Sequence, residues 1–208
     1  MISDYEFVLV GLGREWNSFG EQAPANVREA YEQLRLRLAG ADYFVVTVNY
    51  DDVAQEVFGE RCVSPCGSVS RYQCENGCET IFGDSPDDIC PICKGHMIPN
   101  NITAEHYNEN GYLGKWKEYT VWLERTLNRK LLILEFGTDF FAPSVIRFPF
   151  EKTCLYNKKA HMIRVSRIYS MLPKELADTG RAKSICGDSI EYVMKNFDLD
   201  FNDDGGLE

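Results

Sequence analysis

Residues 74–93, CENGCETIFGDSPDDICPIC, set a Cys-x3-Cys pair against a Cys-x2-Cys pair across an eleven-residue loop rich in turn formers. Zinc takes four thiolates at tetrahedral angles, and two short cysteine pairs on tight turns supply them without a hydrophobic core of their own. Gly77 inside the first pair, Pro91 inside the second, and Gly83, Ser85 and Pro86 between them provide the bends. The expectation is one structural zinc ion per chain on Cys74, Cys78, Cys90 and Cys93, with two disulfides as the alternative. Closed four-cysteine sites seldom carry chemistry, so this module is a folding element and the function lies in what it holds in place.

Around that module stand 208 residues, 44% hydrophobic and 26% charged, enough for one medium domain with a small insertion. A net charge of -10 argues against nucleic acid or an anionic membrane as partner, because either calls for a basic surface. No apolar run reaches the length of a bilayer span, and the start, MISDYEF, has neither the basic flank nor the apolar stretch of a secretion signal. A cytoplasmic location is expected. Reduced thiols there favour metal over disulfides for the eight cysteines.

Taken in order, EFVLVGLG at 6–13 reads as a strand ending in Gly11-x-Gly13, which is either a phosphate loop or a plain turn. Val27, Ala30, Tyr31, Leu34 and Leu38 recur at helical spacing over 24–38, and Gly40 ends that helix. A buried strand at 43–48 follows, with Asn49 and Asp51 at its carboxyl end, as ligand groups or as an Asx turn. Residues 53–58 read as a helical turn, and Cys62 with Cys66 forms a further Cys-x3-Cys that competes on paper for the metal. Beyond the module a helix is expected over 112–128, with Trp116, Tyr119, Trp122, Leu123 and Leu127 inward. KLLILEF at 130–136 is the clearest buried strand and ends in Gly137-Thr138-Asp139. A helix or turn over 143–150 capped by Ser144, a strand at 161–165 and a helix at 189–196 complete the pattern before an acidic end, DLDFNDDGGLE.

This alternation predicts an α/β fold, a Rossmann-like parallel sheet with helices on both faces plus a small inserted four-cysteine zinc ribbon. The expected division is 1–62 with 102–201 for the sheet domain, 63–101 for the zinc ribbon and 202–208 for a flexible acidic tail. Aromatic residues on the 112–128 helix and in FFAPSVIRFPF are expected either to fill the core or to form an oligomer interface.

Seven segments in order resemble the sirtuin family across 6–196. GLG at 11–13 resembles the Gly-Ala-Gly of the NAD loop; TVNYD at 47–51 resembles Thr-Gln-Asn-Ile-Asp; PCGSVSRYQC at 65–74 resembles the segment carrying His-Gly-Ser into the first zinc ligand. CPICKGHMIPN resembles Cys-Pro-x-Cys-Gly-Gly-x-x-Arg-Pro, EFGTDFFAP the Gly-Thr-Ser segment, MIRVS the strand ending in Ile-Asn, and CGDSIEYV the adenine-side Gly-Asp-Ala segment. LLILEFGTDFFAPSVIRFPFEK looks closest to the divergent microbial sirtuins associated with macrodomains, some of which transfer ADP-ribose.

The resemblance implies NAD as substrate, an acceptor protein as partner and a transferase or deacylase activity. It implies catalytic positions at Asn49, Asp51 and Cys66, and NAD contacts at Gly11, Gly13, Asn49, Asp51, Gly137, Thr138, Asp139, Ser166 and Ser189. The departures are informative. The family histidine falls on Cys66, the strand-end glutamine on Val48, the serine after Gly-Thr on Asp139 and the asparagine on Ser166. Only 35 residues separate Gly11 from Thr47, room for one helix, and AEHYNENGY stands where the family has Phe-Gly-Glu. An unperturbed thiol titrates about two units above histidine, so deacylation suffers more than cleavage of the nicotinamide bond. Cys66 is either a buried filler or a reactive thiol, His106 is a substitute base to test, and a non-catalytic nucleotide-binding module is the alternative function.

Overall fold

The computed structural model describes residues 1–20, 23–79, 82–195, 197–199 and 201. All six residues of β1 (Phe7–Leu12) are buried. Successive side chains of a strand point to opposite faces, so Val8, Val10 and Leu12 enter one core while Phe7 and Leu9 enter another. A 3-10 turn, Arg14–Trp16, then drops Trp16 into the first core. α1 (Val27–Arg37) lays Val27, Ala30, Tyr31 and Leu34 on the same core, and is the single α-helix described between β1 and β2 (Tyr43–Thr47). α2 (Val53–Phe58) leads to a two-residue strand, β3 (Cys62–Val63).

The chain next leaves the main sheet. β4 (Gly67–Cys74), β5 (Phe82–Gly83) and β6 (Met97–Asn101) pair antiparallel in the order β5-β4-β6, with the cysteine turns at one end. It returns through α3 (Asn110–Arg125), β7 (Leu131–Phe136), α4 (Arg147–Tyr156), β8 (Ala160–Ser166), α5 (Lys174–Ala177), β9 (Ala182–Cys186) and α6 (Ser189–Lys195). The main sheet runs β3-β2-β1-β7-β8-β9, every pair parallel. α1, α2 and α6 cover one face and α3, α4 and α5 the other, each through its buried apolar side chains. Among the described residues no helix is long and apolar enough to cross a membrane.

The expected architecture is therefore present, with local corrections. Leu127, expected inward, lies past the end of α3 and is 67% exposed. The helix expected over 143–150 starts later, at Arg147, and no side chain caps it, Ser144 included. Pro149 sits in its first turn, where a missing N–H breaks no bond, so the helix runs on to Tyr156. Val63, placed with the zinc ribbon from sequence, pairs with Val46 in the main sheet. Phe197, Leu199 and Phe201 of the acidic end pack against the first core, while Asn196 and the expected flexible tail, 202–208, lie outside the described residues.

Candidate functional site

In an open parallel sheet a ligand crevice forms beyond the carboxyl ends of the strands where the strand order reverses. Here that point lies between β1 and β7. Gly13 N donates to Phe136 O at 2.8 Å, and Gly137 N donates to Val165 O at 2.8 Å, so each loop is tied to the next strand. A Cβ on Gly13 would stand 2.2 Å from Gly137 O and 2.3 Å from Thr138 Cα, a crossing that only glycine permits. Gly11 differs. It lies inside β1, where a Cβ would meet Ile146 at 2.5 Å and Phe150 at 2.7 Å, so its bare backbone seats α4 and faces away from the crevice. The crevice has a volume of about 500 Å³ and is lined by residues that include Arg14, Glu15, Asn17, Phe19, Thr138 and Tyr169. A larger cavity of about 830 Å³, among Tyr5, Arg37, His161 and Phe201, sits at the opposite, amino-terminal end of the strands. Sheet geometry favours the smaller one as the site.

Asn49 and Asp51 lie behind this crevice and hold its loops. Asn49 Nδ2 donates to Gly13 O at 2.9 Å, and the Asn49 carbonyl accepts from Ser64 Oγ at 2.7 Å. Asp51 accepts from Ser18 N at 2.6 Å and from Val53 N at 3.3 Å, so its carboxylate fixes the crevice loop and also starts α2 as an Asx turn. Its neighbour Asp52, at φ +65°, accepts from Ser68 Oγ, Ser70 N and Ser70 Oγ and fastens β4 to the main domain.

On the far wall, Glu15 accepts from Ser166 Oγ at 3.0 Å, Arg167 N at 2.8 Å and Ser189 Oγ at 2.7 Å. Arg14 pairs with Asp139 at 2.6 Å and lies 4.7 Å over the Phe141 ring, and Arg167 pairs with Asp188 at 2.5 Å. Below them Glu135 and Arg164 form a fully buried ion pair reached by the Thr138 hydroxyl. Gly13, Asn49, Gly137, Thr138, Asp139, Ser166 and Ser189 are thus gathered at one end of the sheet. Sequence reasoning missed Glu15, Arg14, Asp52 and the Glu135–Arg164 pair. Only the last left a signal, a charge inside each of two otherwise apolar strands.

Cys66 is 3% exposed in the second core, where burial pushes its thiol up to about 11. Cys62 belongs to the first core, so the two face opposite sides of the sheet and make no joint metal site. None of the three histidines lines the crevice; His106 borders a separate cavity beside the cysteine module. The Sγ atoms of Cys74, Cys78, Cys90 and Cys93 lie within 4.8 Å of one another, a cluster that can hold a metal ion. A tetrahedral zinc site places its sulfurs about 3.8 Å apart. Asn76 Nδ2 and Gly95 N both donate to Cys93, lowering that thiol to about 6.

No family model matches the chain. A probable bifunctional ADP-ribose hydrolase/ADP-ribosyltransferase of Fusarium oxysporum f. sp. cubense is 26% identical over 182 residues, 74% of this chain and 30% of that protein. A protein ADP-ribosyltransferase of Staphylococcus aureus is 21% identical over 175 residues, 73% of this chain and 56% of that protein. The chain thus spans about a third to a half of the curated relatives it matches. A sirtuin solved in a study of substrate affinity superposes with a TM-score of 0.61 at 16% identity, covering 93% of this chain and 92% of the other. A complex of a Sir2 homolog with NAD gives 0.59 at 16% identity over 92% and 88%.

This is the sirtuin fold. Within it, the segments whose order resembled sirtuins fall at strand ends: 47–51 closes β2, 135–143 closes β7 and 162–166 closes β8. The sirtuin sheet of this chain therefore carries its unusual residues, Val48, Asp139 and Ser166, at the same end as its glycine crossing.

Proposed function

We propose that this chain binds NAD in the crevice between β1 and β7, transfers ADP-ribose to an acceptor, and carries one structural zinc ion on Cys74, Cys78, Cys90 and Cys93. The observation that carries this reading is the passage of Gly13 across Gly137 and Thr138 where the strand order reverses. That close crossing draws the loop after β1 against Gly137 and Thr138, which line the crevice where a diphosphate would lie. The relatives named as ADP-ribosyltransferases support the transfer, and sirtuin-fold complexes with NAD and with ADP-ribose support the nucleotide.

In such a transfer the glycosidic C–N bond breaks and nicotinamide leaves neutral with the bonding pair. A lone pair of the acceptor closes on the ribose carbon, and the acceptor gives a proton to water. The protein supplies positioning and electrostatic support. Asn49 fixes the Gly13 loop, and Asp51 fixes Ser18 between the crevice residues Asn17 and Phe19. With its thiol raised by burial, Cys66 is a poor proton acceptor at neutral pH, which favours ADP-ribose transfer over deacylation. An acceptor protein is the proposed partner. The four thiolates form a closed donor set suited to zinc and hold β4 against β6, with no open position for chemistry.

The test is nicotinamide release from NAD by the zinc-loaded protein, with and without a cell extract as acceptor, beside Asn49→Ala. Release that falls with Asn49→Ala supports the transferase. The second reading, a non-catalytic nucleotide-binding module, is favoured by the burial of Cys66. Tight NAD binding without release selects it.

A further inference from the structure

The first cysteine turn faces the start of α3 across a cavity of about 470 Å³, lined by residues that include Glu79, His106, Asn108 and Glu109. None of its lining residues lines the crevice between β1 and β7. Gly77 has φ +69°, and a Cβ there would stand 3.1 Å from His106 Cβ, so the cysteine turn and the 106–110 segment meet closely at this cavity. Three buried amides fix that segment to the ribbon. Gln73 Nε2 donates to His106 O at 2.7 Å, Asn108 N donates to Gln73 Oε1 at 2.8 Å, and Asn100 Nδ2 donates to Gln73 Oε1 at 2.6 Å and to Asn108 O at 2.9 Å.

Asn108 is left with one group unused. Its Oδ1 accepts from Asn110 N at 3.1 Å, which fixes the orientation of the amide, and its Nδ2 has no partner. Two other buried side-chain atoms among the described residues are orphaned, Gln55 Oε1 and His161 Nδ1, but only Asn108 is buried as a whole residue, at 9% exposed. A buried donor without an acceptor is costly, so one in a cavity wall points to a ligand that brings an oxygen. The next two side chains, Glu109 and Asn110, are exposed and can turn to admit it.

Charge narrows the ligand further. Glu79 and Glu109 are exposed and have no cationic partner among the described residues, and no Lys or Arg lines the cavity. An anion is repelled there. A bare metal ion needs converging acceptors, and among the described residues the one group of ligating side chains close enough to share an ion is the four cysteines. A polyamine brings charge but only donors. A basic stretch of polypeptide brings both parts, an ammonium or guanidinium for the carboxylates and a main-chain carbonyl for the amide.

We propose that this cavity is a docking site for a Lys- or Arg-containing segment of a partner protein, held through its charge by Glu79 and Glu109 and through a main-chain carbonyl by Asn108 Nδ2. The site stands apart from the nucleotide crevice and does not depend on the NAD reading. The test is an NMR titration of the full, zinc-loaded, isotope-labelled chain with a blocked Gly-Lys-Gly-Arg-Gly-Lys-Gly peptide. Shifts should be confined to 76–79 and 106–113 and should include the side-chain amide signals of Asn108. Glu79→Gln combined with Glu109→Gln, two exposed substitutions outside the core, should weaken binding about three- to tenfold. Raising salt from about 0.05 M to about 0.5 M should weaken it as well. Spermine, which has the charge without a carbonyl, should leave the Asn108 amide signals in place. Absence of binding at millimolar peptide overturns the proposal. So do shifts centred elsewhere, a double variant that binds as tightly as the unmodified chain, or spermine moving the Asn108 amide as the peptide does.

Discussion

Glu135 and Arg164 stand opposite one another in register on β7 and β8 and form a two-pronged ion pair, Nε to Oε1 at 2.8 Å and Nη2 to Oε2 at 2.9 Å, with neither side chain exposed. Arg164 also donates to Glu151 at 2.7 Å and to Met171 O at 2.8 Å, and Arg147 donates to Tyr169 O at 2.9 Å and Met171 O at 3.0 Å. Buried charge is tolerated because these bonds are complete, and the carbonyls they recruit fix the loop after β8 that walls the crevice.

Removing one partner leaves the other charge buried and bare. Arg164→Met should lower stability by about 3–5 kcal/mol, and Glu135→Leu combined with Arg164→Met should recover most of it. Urea unfolding of the two singles and the double gives the cycle. If the double loses as much as the singles together, the pair is not the unit described.

Gly13→Ala places a methyl group against Gly137 O. Overpacking against backbone costs about 1–3 kcal/mol and spreads the two loops. The melting temperature should fall moderately while NAD affinity falls steeply. Unchanged affinity would show that the crossing does not shape the site.

Zinc content should be one per chain, and Cys90→Ser should abolish it, since Cys90 is wholly buried within the cluster. Metal binding is folding free energy for a module with so small a core of its own, on the order of 10 kcal/mol for structural sites. Chelation or Cys90→Ser should therefore loosen β4–β6 in hydrogen exchange while the parallel sheet stays protected. Retained metal with three cysteines would refute the four-thiolate site.

Burial raises the Cys66 thiol from 9.0 to about 11, and Cys154 likewise. Their folded values lie above the unfolded one, so the stability they contribute is whole below pH 9 and is lost as pH climbs from 9 toward about 11. Melting temperature should decline over that window, less steeply in Cys66→Ala. Alkylation at neutral pH should mark exposed Cys186 well before Cys66.

The elements legible from sequence are those whose burial shows as pattern. β1, β2, β7 and β8 lie inside the parallel sheet and read as near-continuous apolar runs, and α1 shows its stripe. β3, at one edge, is two residues long; β9, at the other, is half-exposed; GSVSRYQC in β4 mixes polar and apolar residues. None of these carries a clear period. The cysteine module was legible because its ligands lie close in sequence. Glu15 was not, because a glutamate after a glycine turn looks solvated and its partners Ser166 and Ser189 are 151 and 174 residues away.

The central pairing of the sheet joins Phe7 to Leu131, so β1 must wait for β7 until the whole cysteine module has left the ribosome. The four thiols need only their own short stretch to close. Metal capture is therefore a local, early event and sheet closure a late, long-range one. A cell short of zinc at the moment of synthesis should accumulate chains whose first strand is paired with β2 alone and still lacks β7, and their loss would be set by translation and metal supply rather than by the stability of the finished protein.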